Sequence, residues 1–239
     1  MRTEPANVFW VGGPAAAGKS TVSRLLARKH GFLWYSVDAR SFAHEKRAVA
    51  AGSYVPGTDP GALDRRPMII EDIESLPVET SVIVEGAFVT PAMAGTGENA
   101  VWLMPSQKEQ VARVEHRNPG ADHSGLIWGW NLVHGQLEGT GANVVVVDGQ
   151  SVEETITAVE RAFGATFESG PAARTTGERR ALLRVSNGYL AENTRRRTVH
   201  AFDCECAQET CTAVVDLHVD ELPSLLAAAP PSIVAPGHA

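Results

Sequence analysis

Residues able to do chemistry gather in three places along this chain. The first is Val11-Gly12-Gly13-Pro14-Ala15-Ala16-Ala17-Gly18-Lys19-Ser20-Thr21, where Gly13 to Ser20 keeps the spacing G-x-x-x-x-G-K-[ST]. A compact polyanion must lie against several backbone N–H groups, so glycine is needed wherever a Cβ would block the approach. The helix that follows adds the positive end of its dipole. Lys19 would reach the β- and γ-phosphates as a point charge, and the Ser20 hydroxyl would ligate Mg²⁺. Gly13, Pro14, Ala15, Ala16, Ala17, Gly18, Lys19, Ser20 and Thr21 are therefore expected to cradle a nucleoside triphosphate, taken as ATP, with Mg²⁺.

Two carboxylates form the second group. Tyr35-Ser36-Val37-Asp38-Ala39-Arg40 and Val84-Glu85-Gly86-Ala87-Phe88 each end an apolar, strand-like run in an acid. In an open parallel sheet, chemistry gathers beyond the carboxyl ends of the strands. Phosphoryl transfer to an alcohol needs a group that orients the hydroxyl and takes its proton late, and Asp38 is the candidate base. The structural alternative for Asp38 is a helix N-cap ahead of Ala39-Arg40, and the two roles can coexist. Glu85 is assigned to Mg²⁺ through water or to hydrogen-bonding the substrate, with pairing to Lys19 or an arginine as the structural alternative.

The third group is Cys204, Cys206 and Cys211. Three thiols this close, in a chain otherwise without cysteine, suggest a metal more than a disulfide. Zn²⁺ takes four S/N ligands in a tetrahedron, so a histidine would complete the set: His200, His218 or His238. Free thiols or a redox pair are the alternative.

The elements that must position these groups can be read from apolar periodicity. Strands are expected at Asn7–Val11, Leu33–Val37, Ser81–Val84, Ala100–Met104 and Asn143–Val147, short and Val-rich as strands buried on both faces are. A helix is expected from Lys19 to His30, stopped by Gly31. Ser106 with Glu109, and Ser151 with Glu154, read as capping boxes. The fold class is therefore α/β: a three-layer α/β/α P-loop nucleoside triphosphate hydrolase-type fold with a parallel five-stranded sheet over residues 1–166. Residues 52–62, rich in Gly and Pro, read as a mobile loop. Residues 167–177 read as a linker, and residues 178–239 as a helix, expected to run to Arg197 and end in Arg195-Arg196-Arg197, plus a Cys-rich module.

Residues 7–163 resemble small-molecule kinases of the group containing shikimate kinase, gluconate kinase and chloramphenicol phosphotransferase. The matching residues are Gly13 to Thr21, Asp38, Val84-Glu85-Gly86, and Val101-Trp102-Leu103-Met104 followed by a helix carrying Arg113 and Arg117. The resemblance implies that Arg113 and Arg117 close over the phosphates and stabilise charge on the transferring group. It also implies that Asp148-Gly149-Gln150 borders the adenine. The chain departs from the pattern after Arg117, where Asn118-Pro119-Gly120-Ala121-Asp122-His123-Ser124-Gly125 contains no arginine and an insertion with Trp128, Trp130 and His134 follows. Trp128 and Trp130 could stack against an aromatic or sugar substrate, with buried packing as the default role. Arg40, His44, Lys46, Arg47, Arg65 and Arg66 could grip an anionic acceptor or be solvated. The tail resembles a recurring bacterial module, Phe-x-Cys-Glu-Cys with a third Cys and a closing Pro-Gly-His, which favours His238 as the fourth ligand.

Composition bounds the remaining possibilities. The chain has 239 residues and a formal charge of −7, which argues against nucleic acid or anionic lipid as a partner. No apolar run approaches the roughly 20 residues of a membrane span. The first residues turn straight into a strand-like run, so no cleavable signal is expected and a cytoplasmic location follows. The expected partner is a small hydroxylated metabolite or antibiotic as phosphate acceptor, with a second copy of the chain another candidate. The alternative is a nucleotide-dependent regulator whose metal module binds protein or RNA. Against it, no Asn-Lys-x-Asp segment for guanine is evident.

Overall fold

The structure is a computed structural model that describes residues 7–57, 63–76, 79–120, 122–192, 199–228 and 233–238. The run Arg195 to Arg197 and part of the 52–62 loop lie outside the described residues.

Five parallel strands make one sheet in the order β2-β3-β1-β4-β5. They are β1 (Val8–Gly12), β2 (Leu33–Ser36), β3 (Val82–Glu85), β4 (Ala100–Met104) and β5 (Asn143–Val146). Each lies within a residue or so of the expected run. β1 sits centrally, pairing Val8 with Val82 on one side and Trp10 with Ala100 on the other. Consequently the turn leaving β1 opens between the ends of β3 and β4. Every residue of β1 to β4 is buried, as two-sided packing demands. β5 differs: it is an edge strand whose burial alternates, and Val144 and Val146 stay exposed. Its outer face lacks the cover expected of a strand buried on both faces.

Helices α1 (Lys19–His30) and α7 (Val152–Ser169) cover one face, burying Val22, Leu26, Val159, Phe163 and Phe167 against Phe9, Val11 and Leu103. α2 (Ser41–Ala50) lies beyond the end of β2. The other face is covered by α3 (Arg66–Glu74), α4 (Pro91–Ala94) and α6 (Ser124–Leu137), through residues such as Ile69, Met93 and Val133. α1 ends as expected at Gly31, in the left-handed region at φ 69°, with its N–H on the Ala27 carbonyl. α7 begins with a complete Ser151/Glu154 capping box. At α5 (Gln107–Arg117) only half the box forms. Ser106 Oγ accepts from the Glu109 N–H, while the Ser106 N–H donates to Asp148 Oδ1 at 2.7 Å and Glu109 turns to Arg113. Asp148 thereby ties the end of β5 to the start of α5.

The segment read as a linker is held to the sheet. Ser81 donates to the Pro171 carbonyl at 2.7 Å, and Ala173 to the Gly31 carbonyl at 2.8 Å. α8 (Thr176–Glu192) then runs along β2, with Leu182 in the core beneath it and Ser186 Oγ donating to the Trp34 carbonyl. Beyond it a hairpin of β6 (Val199–Asp203) and β7 (Val214–His218) leads to the short α9 (Leu222–Ala227).

Four cationic or polar side chains behind β2 meet one carboxylate. Buried Asp72 accepts from Tyr35 at 2.7 Å, Arg40 at 3.1 Å, His44 at 3.0 Å, and Arg47. Arg65 Nε donates to His44 Nδ1, so the imidazole proton sits on Nε2 and points at Asp72. Arg40, His44 and Arg47 are thus engaged in joining α2 to α3. Burial opposes the Asp72 charge, but its donors, His44 and Tyr35 foremost, hold the carboxyl below its ordinary range. Burial likewise lowers His44, against the pull of Asp72. Both groups bind fewer protons in the fold than in the unfolded chain, so both contribute stability that is lost on acidification. Denaturant titration should show stability falling first below the ordinary histidine value of 6.5, and again below the ordinary aspartate value of 3.8. Asp72→Ala, which leaves these donors buried and unpaired, should cost about 3–5 kcal/mol.

Candidate active site and metal centre

The turn from β1 to α1 is shaped by what a side chain would hit. A Cβ on Gly12 would lie 2.2 Å from Trp102 Nε1, and one on Gly13, at φ 134°, would lie 2.3 Å from the Leu103 carbonyl. The turn therefore presses its backbone directly onto β4. Ala16 adopts φ 60° and Gly18 φ 90°, so the peptide units between them curl into a nest above the first turn of α1. Buried Gln110 of α5 holds the outer rim, donating to the Ala15 carbonyl at 2.9 Å. That prop was not anticipated; its only sequence signal is a glutamine on the inner face of α5.

Lys19, at the start of α1, is buried and donates to the Pro14 carbonyl at 2.9 Å. Burial lowers its pKa, while Glu85 and then Asp38 pull it back up, so both acids face it. Ser20 Oγ donates to Glu85 Oε2 at 3.1 Å. Glu85 is fully buried with Oε1 unpartnered, and its carboxyl is pushed up to about 7 by burial first and then by Asp38, against Lys19 and the Ser36 and Ser20 hydroxyls.

Asp38 opens a single 3₁₀ turn, Asp38–Arg40, but its side chain does not cap it; Ser36 Oγ accepts from the Ala39 N–H instead. The Asp38 carboxylate crosses to the end of β3, where Oδ2 accepts from Ala87 N–H at 3.2 Å and Oδ1 is buried without a partner. Gly86 makes room, since a Cβ there would lie 3.1 Å from Asp38 Oδ1. Arg65 stands beside Asp38, its guanidinium over the Phe88 ring at 4.8 Å and bonded to the Val37 carbonyl. Lys19, Ser20, Glu85 and Asp38 thus come together at the carboxyl ends of β1, β2 and β3.

Arg113 and Arg117 lie on the other flank of the turn. They line a cavity of about 430 Å³ with Gly18, Thr21, Gln150 and Val152. Three Arg113 donors are already engaged: Glu109 at 2.8 Å, the Ala16 carbonyl at 3.4 Å and the Val147 carbonyl at 2.9 Å. Arg113 therefore braces the turn and the end of β5. Trp130 packs into the core and donates to the Pro105 carbonyl, His134 stacks on it at 4.7 Å, and Trp128 is exposed.

At the tail, one ligand atom from each of Cys204, Cys206, Cys211 and His238 falls within 4.8 Å of the others. His238 Nδ1 lies 3.5 Å from Cys204 Sγ and 3.4 Å from Cys211 Sγ. The chain end is folded back by a turn at Gly237, φ 81°, and by Glu205 N–H on the Ile233 carbonyl. His200 and His218 lie on the hairpin outside this cluster. Three buried thiols and one imidazole nitrogen this close together are a donor set that could hold a metal ion.

A five-stranded parallel sheet with helices on both faces, with the Gly13–Ser20 turn leaving its central strand, is the three-layer α/β/α P-loop fold the sequence leads one to expect. The chain resembles the structure of the Deinococcus radiodurans tunicamycin resistance protein at a TM-score of 0.50 and 15% identity, over 71% of this chain and 100% of that one. It also resembles a gluconokinase from Sinorhizobium meliloti 1021 (TM-score 0.45, 20% identity, 70% and 96% of the two chains). A sugar kinase from Janibacter sp. HTCC2649 matches at a TM-score of 0.45 and 16% identity, over 71% and 100%. No protein-family model and no curated protein matches the sequence. Among the described residues, no helix is long and apolar enough to cross a membrane.

The two turn glycines should behave differently on substitution. Gly18→Ala meets open space and only left-handed strain, about 1–2 kcal/mol, whereas Gly13→Ala must also move β4 and should cost clearly more in a denaturant titration.

Proposed function

We propose that the protein is an ATP-dependent kinase that transfers the γ-phosphate to a hydroxyl of a small molecule. The observation that carries this reading is the unpartnered Asp38 Oδ1, buried beside the residues of the phosphate turn. A switch protein has no use for such an acceptor, whereas an incoming alcohol does.

In this reading the backbone nest of residues 13–20 holds the β- and γ-phosphates, and Lys19 exchanges the Pro14 carbonyl for phosphate oxygen. Mg²⁺ would be held by Ser20 and, through water, by Glu85, and would neutralise charge on the transferring group. The two side chains already point at each other, and a neighbouring divalent cation favours ionised Glu85. Asp38 accepts the hydroxyl proton through Oδ1 while the Ala87 N–H fixes Oδ2. The base of ATP occupies the cavity beside Arg113, Arg117 and Gln150. Arg65, beside Asp38, is placed to meet an anionic or polar group of the acceptor.

The tail cluster is read as a zinc site with Cys204, Cys206, Cys211 and His238 as ligands. Its role is to hold residues 233–238 on the β6–β7 hairpin, where Ile233 and Ala235 pack.

Asp38→Asn should abolish phosphoryl transfer to an acceptor found by metabolite screening, while keeping ATP affinity; full activity in that variant would remove the mechanism. Lys19→Met should weaken ATP by about ten- to a hundredfold in a binding titration, the loss of one charge-assisted hydrogen bond. Protein purified without added metal should contain about one zinc per chain by elemental analysis, and Cys204→Ser should release it.

A further inference from the structure

Helix α1 carries the phosphate turn at its start, and its far end is held by the cysteine cluster. Arg24 and Arg28, one helical turn apart, share a face of α1 and both reach the tail. Arg24 grips the Asp203 carboxylate with Nη2 at 2.6 Å and Nε at 3.2 Å from both oxygens. Arg28 goes deeper. Its guanidinium donates to the Cys204 carbonyl, to the Gln208 carbonyl at 3.4 Å, and lies 3.9 Å from Cys206 Sγ.

Arg28 is only 7% exposed, and among the described residues it forms no salt bridge to a carboxylate. A buried guanidinium without a counter-charge is costly. The cysteine cluster can supply one. Three thiolates and a neutral imidazole around a divalent ion leave a net negative charge beside the Arg28 fork. The same end of α1 is held from the other side by Arg179, which donates to the Arg28 carbonyl at 2.7 Å and pairs with Glu209 of the module.

The module also shares a wall with the nucleotide cavity. Thr21 lines that cavity, and it lines a second one of about 130 Å³ that runs past Arg28 to Cys211 and Thr212. Arg28 stands about 14 Å along the helix from Lys19, joined to it by continuous backbone hydrogen bonds.

We infer that Arg28 is a positioning residue: it is the counter-ion of the metal–thiolate centre, and through it occupancy of that centre fixes α1 and the phosphate turn in the geometry that binds nucleotide. This inference rests on the reading of residues 13–20 as a nucleotide site.

The test compares zinc-loaded protein, the same protein stripped with a chelator, zinc-loaded Arg28→Met and zinc-loaded Arg28→Lys. Readouts are zinc content, melting temperature, amide hydrogen exchange of residues 19–30, and affinity for a fluorescent ATP analogue with Mg²⁺. Arg28→Met should keep its zinc and much of its thermal stability, yet exchange faster across α1 and bind the analogue about three- to thirtyfold more weakly. Arg28→Lys, which keeps the charge, should recover most of that affinity. Stripping the wild type should likewise speed exchange across α1 and weaken the analogue, and if Arg28→Met does not fold, loss of both effects of zinc in Arg28→Gln decides the matter.

Unchanged exchange in residues 19–30 and unchanged affinity, with loosening confined to residues 199–238, would overturn the inference. So would protein that takes up no zinc. If the wild type binds no analogue, the nucleotide reading fails separately, and exchange across α1 then decides whether the coupling exists.

Discussion

Where β1 turns into α1, the backbone at Gly12 and Gly13 lies against Trp102 and Leu103 of β4 with no room for a side chain between them. That contact sets the height of the turn above the sheet. It also sets the direction in which α1 departs, because Ala16 and Gly18 must then adopt left-handed conformations to start the helix. With α1 so directed, Lys19 and Ser20 fall beside the ends of β2 and β3, where Asp38 and Glu85 emerge. The parallel register of β2, β3 and β1 does the rest, since Ser36, Glu85 and Val11 lie at the same level of the sheet.

The electrostatics of the site depend on this crowding. Two acids and one lysine lie close together, Glu85 and Lys19 both buried, so each ionisation is felt by the others. Burial and the neighbouring Asp38 raise Glu85 to about 7, while burial lowers Lys19 against the opposing pull of both acids. Such an arrangement is poorly optimised for stability alone. An unpartnered buried oxygen on each carboxylate is the kind of local inconsistency that folds retain where a ligand completes the set.

Tail and sheet domain are joined by buried polar bonds as well as apolar packing. Asn187 of α8 both donates to the Asp203 carbonyl and accepts from the Asp203 N–H, and Arg184 pairs with fully buried Glu205. Polar bonds of this kind have strict geometry, so they place the cysteine cluster against α1 in one orientation.

Much was legible in the sequence because the signals are local. Gly31 stops α1 because a left-handed cap needs no partner beyond its own helix, and Ser151 with Glu154 starts α7 for the same reason. Strand positions followed from short Val-rich runs, and the phosphate turn from glycines and a lysine at fixed spacing. Tertiary structure alone decided what depended on distant partners. Asp148 displaced Glu109 from the Ser106 cap because β5 and α5 end side by side. Asp72 gathered Arg40, His44 and Arg47 around one carboxylate, and α8 packed along β2 although the chain before it reads as a linker. Nothing in the spacing of the chain marks Arg28, and only the fold brings the thiols to it. Spacing along a chain encodes turns, caps and periodic faces; which buried charges meet is fixed by the packing of whole elements.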